Sequence, residues 1–326
     1  MPITSVINDP DNLKLTVVGE FPVSRSRLWQ AWADPRQLER FWGPPTWPAT
    51  FTRLEMFPGG RADYFMTGPD GTRACGYWEF TDIKPGYSFD VVNGFAHDDG
   101  TPNDALPSHR LTVSFDDAGT GSRFIAVNTF PSLDALETMM SMGMDEGMTA
   151  ALNQADAVLV DLASFASNLA AHAQLLTDTQ VRVSRVIRGA IEEVWRAHND
   201  AELMRRWMLG PDGWHMTVCQ VAEEAGQSYR YEWEPDDGSP GFGFTGRLIS
   251  SQTPVWQVTT EAMIGMEHIE SRNEMTLSPV DDGTLLTLVI TYPSAQVRDS
   301  VLATGMTDGM ETSYLRLESS MLMTPH

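Results

Sequence analysis

The stretch Leu28–Pro45, LWQAWADPRQLERFWGPP, aligns without a gap on Val194–Pro211, VWRAHNDAELMRRWMLGP. Trp29 meets Trp195, Ala31 meets Ala197, Asp34 meets Asp200, Arg40 meets Arg206 and Pro45 meets Pro211. Working outward, PGGRADYFMTGPDGT from Pro58 faces EAGQSYRYEWEPDDGS from Glu224 with one inserted residue. TFPSLDALETMMSMGMDEGM from Thr129 then matches TYPSAQVRDSVLATGMTDGM from Thr291 at equal spacing. Repeats of about 150 residues are too long for solenoid units and have the size of complete domains, so the chain reads as a tandem duplication. The boundary is expected between Ser164 and Thr179, which divides the chain into residues 1–170 and 171–326.

Each copy shows the same order of signals. A strand near Lys14–Val23 precedes Ser24, a cap for a short helix carrying Leu28, Trp29 and Trp32. Asp34, Pro35 and Gln37 read as a cap, an N1 proline and a capping-box partner, so a second short helix carries Leu38, Phe41 and Trp42 until the breakers Gly43, Pro44 and Pro45. From Phe51 to Phe130, β-branched and aromatic runs alternate with the turn signals PGG, GPDG, KPG, HDDGTPN and DDAGTG. That pattern predicts an antiparallel meander of about six strands. One face of such a sheet needs a cover. Met148, Leu152, Ala155, Leu159 and Leu162 form one stripe of a long helix that supplies it, with Met310, Tyr314, Leu317 and Met321 as the stripe in the second copy. The long helices are expected to start close to Gly147 and Gly309.

Composition bounds the function. The 326 residues carry a formal net charge of −22. That charge opposes nucleic acid and anionic membrane surfaces, whose affinity for proteins rests on Lys and Arg. No run of about 18 apolar residues is present for a membrane span, and the N-terminus lacks a signal-peptide pattern, so a cytoplasmic location is expected. Cys75 and Cys219 are far apart and read as small buried apolar residues. His97, His109, His172, His198, His215, His268 and His326 are scattered without metal-ligand spacing. Phosphate-loop, dinucleotide and nucleophile-elbow motifs are absent, so no catalytic residue, metal or cofactor is assigned.

The segments FPVSRSRLWQAWADPRQLERFWGPP, FPGGR, GYWEF and TFPS…GMDEGM, in this order, resemble the START-like (SRPBCC) superfamily, in particular the family named after the activator of heat-shock protein 90 ATPase. The resemblance covers nearly all of both copies. It implies an α+β fold of two helix-grip domains, each a curved antiparallel sheet wrapped on a long C-terminal helix with two short helices. The second copy lacks two elements that carry the resemblance, replacing Phe41-Trp42-Gly43-Pro44 by Trp207-Met208-Leu209-Gly210 and PGGR by EAGQ.

A cavity between sheet and helix is therefore expected mainly in the first copy, for a small apolar or aromatic molecule, with the second copy mainly a structural partner. Its expected walls are Trp42, Phe65, Trp78 and Phe89, joined by Met140, Met144 and Met148 from the helical side. Phe65 shares strand parity with Asp63, which weakens its inward assignment. Other classes implied by the resemblance are a polyketide-cyclase-like or hydrolase enzyme and a chaperone-interacting protein. A chaperone or a second copy of the chain is then the macromolecular partner to consider.

Overall fold

The computed structural model describes residues 2–161, 169–280 and 283–322. It forms two compact units, Met1–Ala163 and Ser164–His326. Part of the stretch expected to join them, together with Leu162 of the helical stripe, lies outside the described residues.

In the first unit the strands are β1 (Ile3–Asp9), β2 (Lys14–Phe21), β3 (Ala49–Leu54), β4 (Arg61–Thr67), β5 (Arg73–Lys84), β6 (Ser88–Ala96), β7 (His109–Ala118) and β8 (Gly121–Thr129). They make one antiparallel sheet in the order β1-β2-β8-β7-β6-β5-β4-β3. In the second unit β9 (His172–Leu175), β10 (Gln180–Ile187), β11 (Trp214–Gln220), β12 (Ser228–Pro235), β13 (Phe242–Gln252), β14 (Trp256–Met263), β15 (Ser271–Val280) and β16 (Gly283–Thr291) pair in the order β11-β12-β13-β14-β15-β16-β10-β9. Read from the other edge, this is the same topology. The expected six-strand meander corresponds to β3–β8, and each sheet gains an extra edge strand, β1 or β9. Strand β9 falls inside the segment expected to be a linker.

Helices α1 (Arg25–Ala33) and α2 (Pro35–Leu38) follow β2. The Ser24 hydroxyl accepts from the Arg27 amide, which fixes the start of α1. Asp34 ends α1 through its amide, bonded to the Gln30 carbonyl, and begins α2 through its side chain, which accepts from the Arg36 amide. Because the Asp34 amide is already used, Gln37 does not close a capping box. Its amide group donates instead to Asp34 Oδ2, at 3.2 Å. Helix α2 ends at Leu38, so Phe41 and Trp42 lie in the turns beyond it, with the Trp42 amide bonded to the Leu38 carbonyl. Their counterparts in the second unit are α6 (Ile191–Asn199) and α7 (Ala201–Trp207).

After β8 come α3 (Leu133–Ser141), α4 (Met144–Asn153) and α5 (Ala155–Val160). Helix α4 begins three residues before the expected Gly147, behind Gly143 at φ 78°, a left-handed position that glycine takes without steric cost. The expected single helix is interrupted at Gln154, whose side-chain amide donates to the Gly43 carbonyl at 2.8 Å. The second unit has α8 (Ala295–Leu302) and an uninterrupted α9 (Met306–Leu322) behind Gly305.

Leu152, Ala155, Val158 and Leu159 are buried against Val17, Trp32, Trp78, Phe89 and Phe124, so the stripe read from the sequence covers the sheet. The first core is mainly aromatic, with Trp32 stacked on Phe124 at 5.1 Å and Trp42 edge-on to Trp78 at 5.0 Å. In the second unit Trp207 stacks on Tyr314 of α9 at 6.0 Å. Buried Arg185 of β10 also holds α9 there, pairing with Glu311 at 3.0 Å and Glu318 at 2.8 Å.

Candidate functional site

A cavity of about 240 Å³ lies in the first unit between the sheet and the helices that follow β8. Tyr64 and Met66 of β4, Ala74, Cys75 and Gly76 of β5, Asn93 to Phe95 of β6, His109 and Leu111 of β7, and Asn128 of β8 form one side. Trp42 to Pro44 and Met139, Met142, Met144, Gly147, Met148 and Ala151 form the other. The space exists because β5 offers only Ala74 and Gly76 at the inner positions of this wall, before Trp78 and Phe80 fill the core. A Cβ on Gly76 would lie 2.5 Å from Tyr64 Cζ, so only glycine lets the Tyr64 ring cross the strand there. Met142 is half exposed and marks the rim.

No Asp, Glu, Lys or Arg is among the wall residues. Polarity is gathered at one end. Asn128 Nδ2 donates to the Leu15 carbonyl at 3.3 Å, which turns its Oδ1 toward His109 Nε2 at 3.0 Å. Facing the Asn128 oxygen, Nε2 carries the ring proton, and the Asn93 amide nitrogen Nδ2 lies 3.2 Å from the same atom. His109 Nδ1 is buried without a hydrogen-bond partner. Burial holds the His109 pKa down to about 4, against the Asn128 hydrogen bond, so the ring is neutral at pH 7. Burial also pushes the Tyr64 phenol up to about 12; the nearby Trp42 and Trp78 indoles oppose this, although neither N–H closes a hydrogen bond. The wall thus presents neutral groups throughout.

The residues named from the sequence separate. Trp42, Met144 and Met148 stand on the cavity wall. Trp78 and Phe89 are buried in the core behind it, packed together at 6.0 Å, and do not line the space. Met140 packs against the small cluster of Leu15, Phe130 and Leu136 instead. Phe65 is on the outer face beneath the Arg73 guanidinium at 4.3 Å, because Ala62, Tyr64 and Met66 take the inward parity of β4. Cys75, read as a buried apolar residue, is partly exposed on the wall, its sulfur 3.6 Å from Asp98 Oδ1. Tyr64, His109, Asn93 and Asn128 were not singled out. Alternation was the available signal, since His109 shares parity with Leu111 and Val113, and Asn128 with Phe124 and Ala126.

The second unit fills the equivalent space. Met66 pairs with Ala74 and Tyr64 with Gly76 in the first sheet, while Trp233 pairs with Phe242 and Tyr231 with Phe244 in the second. Trp233, Phe242 and Phe244 pack on one another at 5.2 to 6.1 Å. One pair along, the exchange reverses: Ala62–Trp78 becomes Tyr229–Gly246. A smaller and more polar cavity of about 120 Å³ lies in that region, bounded by His198, Tyr229, Tyr231, Leu248 and Glu261 among others. A larger recess of about 690 Å³ is an open groove bordered by Arg206, Arg316 and Ser319, lined only from α7, α9 and the loop after α7.

The chain matches the family described as Activator of Hsp90 ATPase homolog 1-like protein over residues 22–159 and again over residues 188–321. A comparison with curated proteins gives no match. Among solved structures the chain is similar to protein Ms6760 from Mycobacterium smegmatis, with 45% identity, 49% of this chain and 98% of that one covered, and a TM-score of 0.47. It is also similar to a protein from Arthrobacter aurescens, with 46% identity, 48% and 91% coverage, and a TM-score of 0.47. A protein from Rhodobacter sphaeroides shows 27% identity, 48% and 100% coverage, and a TM-score of 0.44. With matched segments that together span most of its length, the chain belongs to the Activator of Hsp90 ATPase homolog 1-like family, carried here in two copies.

Proposed function

We propose that the first copy binds a small, uncharged apolar or aromatic molecule bearing one hydrogen-bonding group, and that each copy is a helix-grip fold in which the sheet wraps the C-terminal helix. The observation that carries the binding reading is the wall itself: thioethers and aromatic rings around about 240 Å³, with no ionised side chain and one polar end at His109, Asn93 and Asn128. A cavity of about 150 Å³ accepts benzene, so this one suits a bicyclic aromatic. Met side chains adapt to varied apolar shapes. A bound anion would find no cation, and a carboxylate desolvated there without a partner costs several kcal/mol. The neutral ring of His109 suits it to orienting a ligand hydroxyl or carbonyl.

Titration calorimetry with 2-naphthol and with naphthalene-2-sulfonate tests this reading. Saturable binding of the neutral compound and none of the sulfonate is expected. Equal binding of both, or of neither, would remove the proposal. The family match motivates a second reading, association with a chaperone. It requires that the full chain bind an Hsp90 and raise its ATPase rate; an unchanged rate at saturating concentration would end it.

A further inference from the structure

The smaller cavity of the second copy differs in chemistry from the first. Its wall includes the Glu261 side chain, for which neither Lys nor Arg forms an ion pair among the described residues. Two neutral groups reach its carboxylate, the Asn273 side chain and the Tyr229 hydroxyl at 3.2 Å, whose proton is shared with the Thr260 carbonyl at 2.8 Å. His198, on the same wall, donates Nδ1–H to the Val194 carbonyl at 2.7 Å and leaves Nε2 without a partner. Burial holds His198 down to about 4, so it supplies no positive charge at pH 7. Asn199 spends its amide N–H on the Trp195 carbonyl at 3.0 Å, which leaves its side-chain oxygen as an acceptor.

The wall therefore combines a carboxylate held by neutral donors alone, the open acceptor His198 Nε2 and the neighbouring rings of Tyr229 and Tyr231, 4.9 Å apart. A carboxylate in such a place needs a cation or a proton. Among the described residues no group of three His, Cys, Asp or Glu side chains converges to hold a metal ion. The fitting cation is one that brings its own N–H donors, and tyrosine faces attract ammonium groups. A volume of about 120 Å³ limits its size. At ~30 Å³ for each water-sized group, about four heavy atoms fit.

We propose that the second copy carries a separate binding site for a short primary ammonium ion, seated against the Glu261 carboxylate. Gly246 lets the Tyr229 ring of the wall lie across its strand where the first copy has Trp78, and the net charge of −22 raises the local concentration of cations around the molecule. The duplication has then produced two cavities of opposite preference, one neutral and apolar, one for a cation.

The test is ¹H–¹⁵N NMR of the full chain titrated with ethylammonium chloride, with ethanol as the neutral analogue and sodium chloride at matched ionic strength as the control. Saturable shifts of the Asn199, Tyr229 and Glu261 amides with ethylammonium alone are expected, weakened by about tenfold or more in Glu261→Gln. Equal shifts with ethanol or sodium chloride, no saturation in the wild-type chain, or undiminished binding in a folded Glu261→Gln would overturn the proposal. The wild-type comparison of the charged and neutral compounds stands even where the variant fails to fold. The 2-naphthol site is read by different residues, so either assignment fails without the other.

Discussion

Gly76 and Phe244 hold the same place in the two sheets, each opposite a tyrosine, and that exchange, with Ala74 against Phe242 beside it, decides which copy is open. With Tyr64 lying across Gly76, Gly76→Ala should force the ring aside and lower stability by about 1–3 kcal/mol, measured by urea unfolding. Trp42→Ala and Met148→Ala remove wall atoms and should each weaken 2-naphthol binding by about 1–3 kcal/mol, the scale of one buried apolar side chain, read by calorimetry. An unchanged affinity in both would place the ligand elsewhere. His109 supplies a pH prediction. Its pKa falls from 6.5 to about 4 on folding, so below 6.5 the unfolded chain takes up a proton that the native chain refuses. Stability is therefore fully present above pH 6.5 and declines toward pH 4, by on the order of 3 kcal/mol for this buried ring. Glu261 acts the other way, because burial raises its pKa and protonation in acid relieves the cost of its charge. Buried His198, also held down to about 4, adds to the same decline, so His109→Gln should lessen it between pH 6.5 and 4.5 in urea titrations, and parallel curves would show that His109 is not a source. At this scale the sequence was half legible. Trp42, Met144 and Met148 follow from their place beside the breakers and on the helix start, whereas Trp78 and Phe89 face inward yet sit one layer away, a distinction that only packing supplies.

Among elements, the turn between the two short helices shows how one residue type carries different loads in the two copies. Asp34 is 3% exposed and holds buried Arg36 through Nε at 3.0 Å and a terminal nitrogen at 2.8 Å, besides capping α2. Asp200 caps α7 alone, accepting from the Glu202 and Leu203 amides. Asp34→Ala should cost about 3–5 kcal/mol because it removes both the α2 cap and one side of a buried ion pair, and Asp200→Ala only about 1 kcal/mol. Equal losses in calorimetry would contradict the assigned roles. Periodicity made α1, the six-strand meander and the stripe on α4, α5 and α9 readable, since each buries one face. Strands β1 and β9 were not readable. They are edge strands with mostly exposed or half-buried residues, ITSVIND and HAQL, which carry no apolar alternation to detect. The interruption at Gln154 was equally hidden, because a stripe passes through a change from α4 to α5 without losing its spacing.

Across the whole molecule, the duplication and the charge set the behaviour. Forty-four acidic against 22 basic side chains repel one another in the folded state, so raising the salt from low ionic strength to about 0.15 M should raise the melting temperature. A flat response would show that local ion pairs such as Arg185 with Glu311 and Glu318 already compensate the excess. The repeat told of two domains, and their common strand order shows that the fold survived divergence. What diverged is the distribution of large and small side chains along β4 and β5 against β12 and β13. The claim that the first copy alone opens an apolar site is tested most directly by ¹³C-methyl methionine NMR of the full chain, whose 18 methionines report on both copies. Titration with 2-naphthol should shift Met66, Met139, Met144 and Met148 together and saturably, while Met204, Met216 and Met275 of the second copy stay in place. Unmoved resonances in the first copy, or saturable shifts at Met204, Met216 and Met275, would contradict the account.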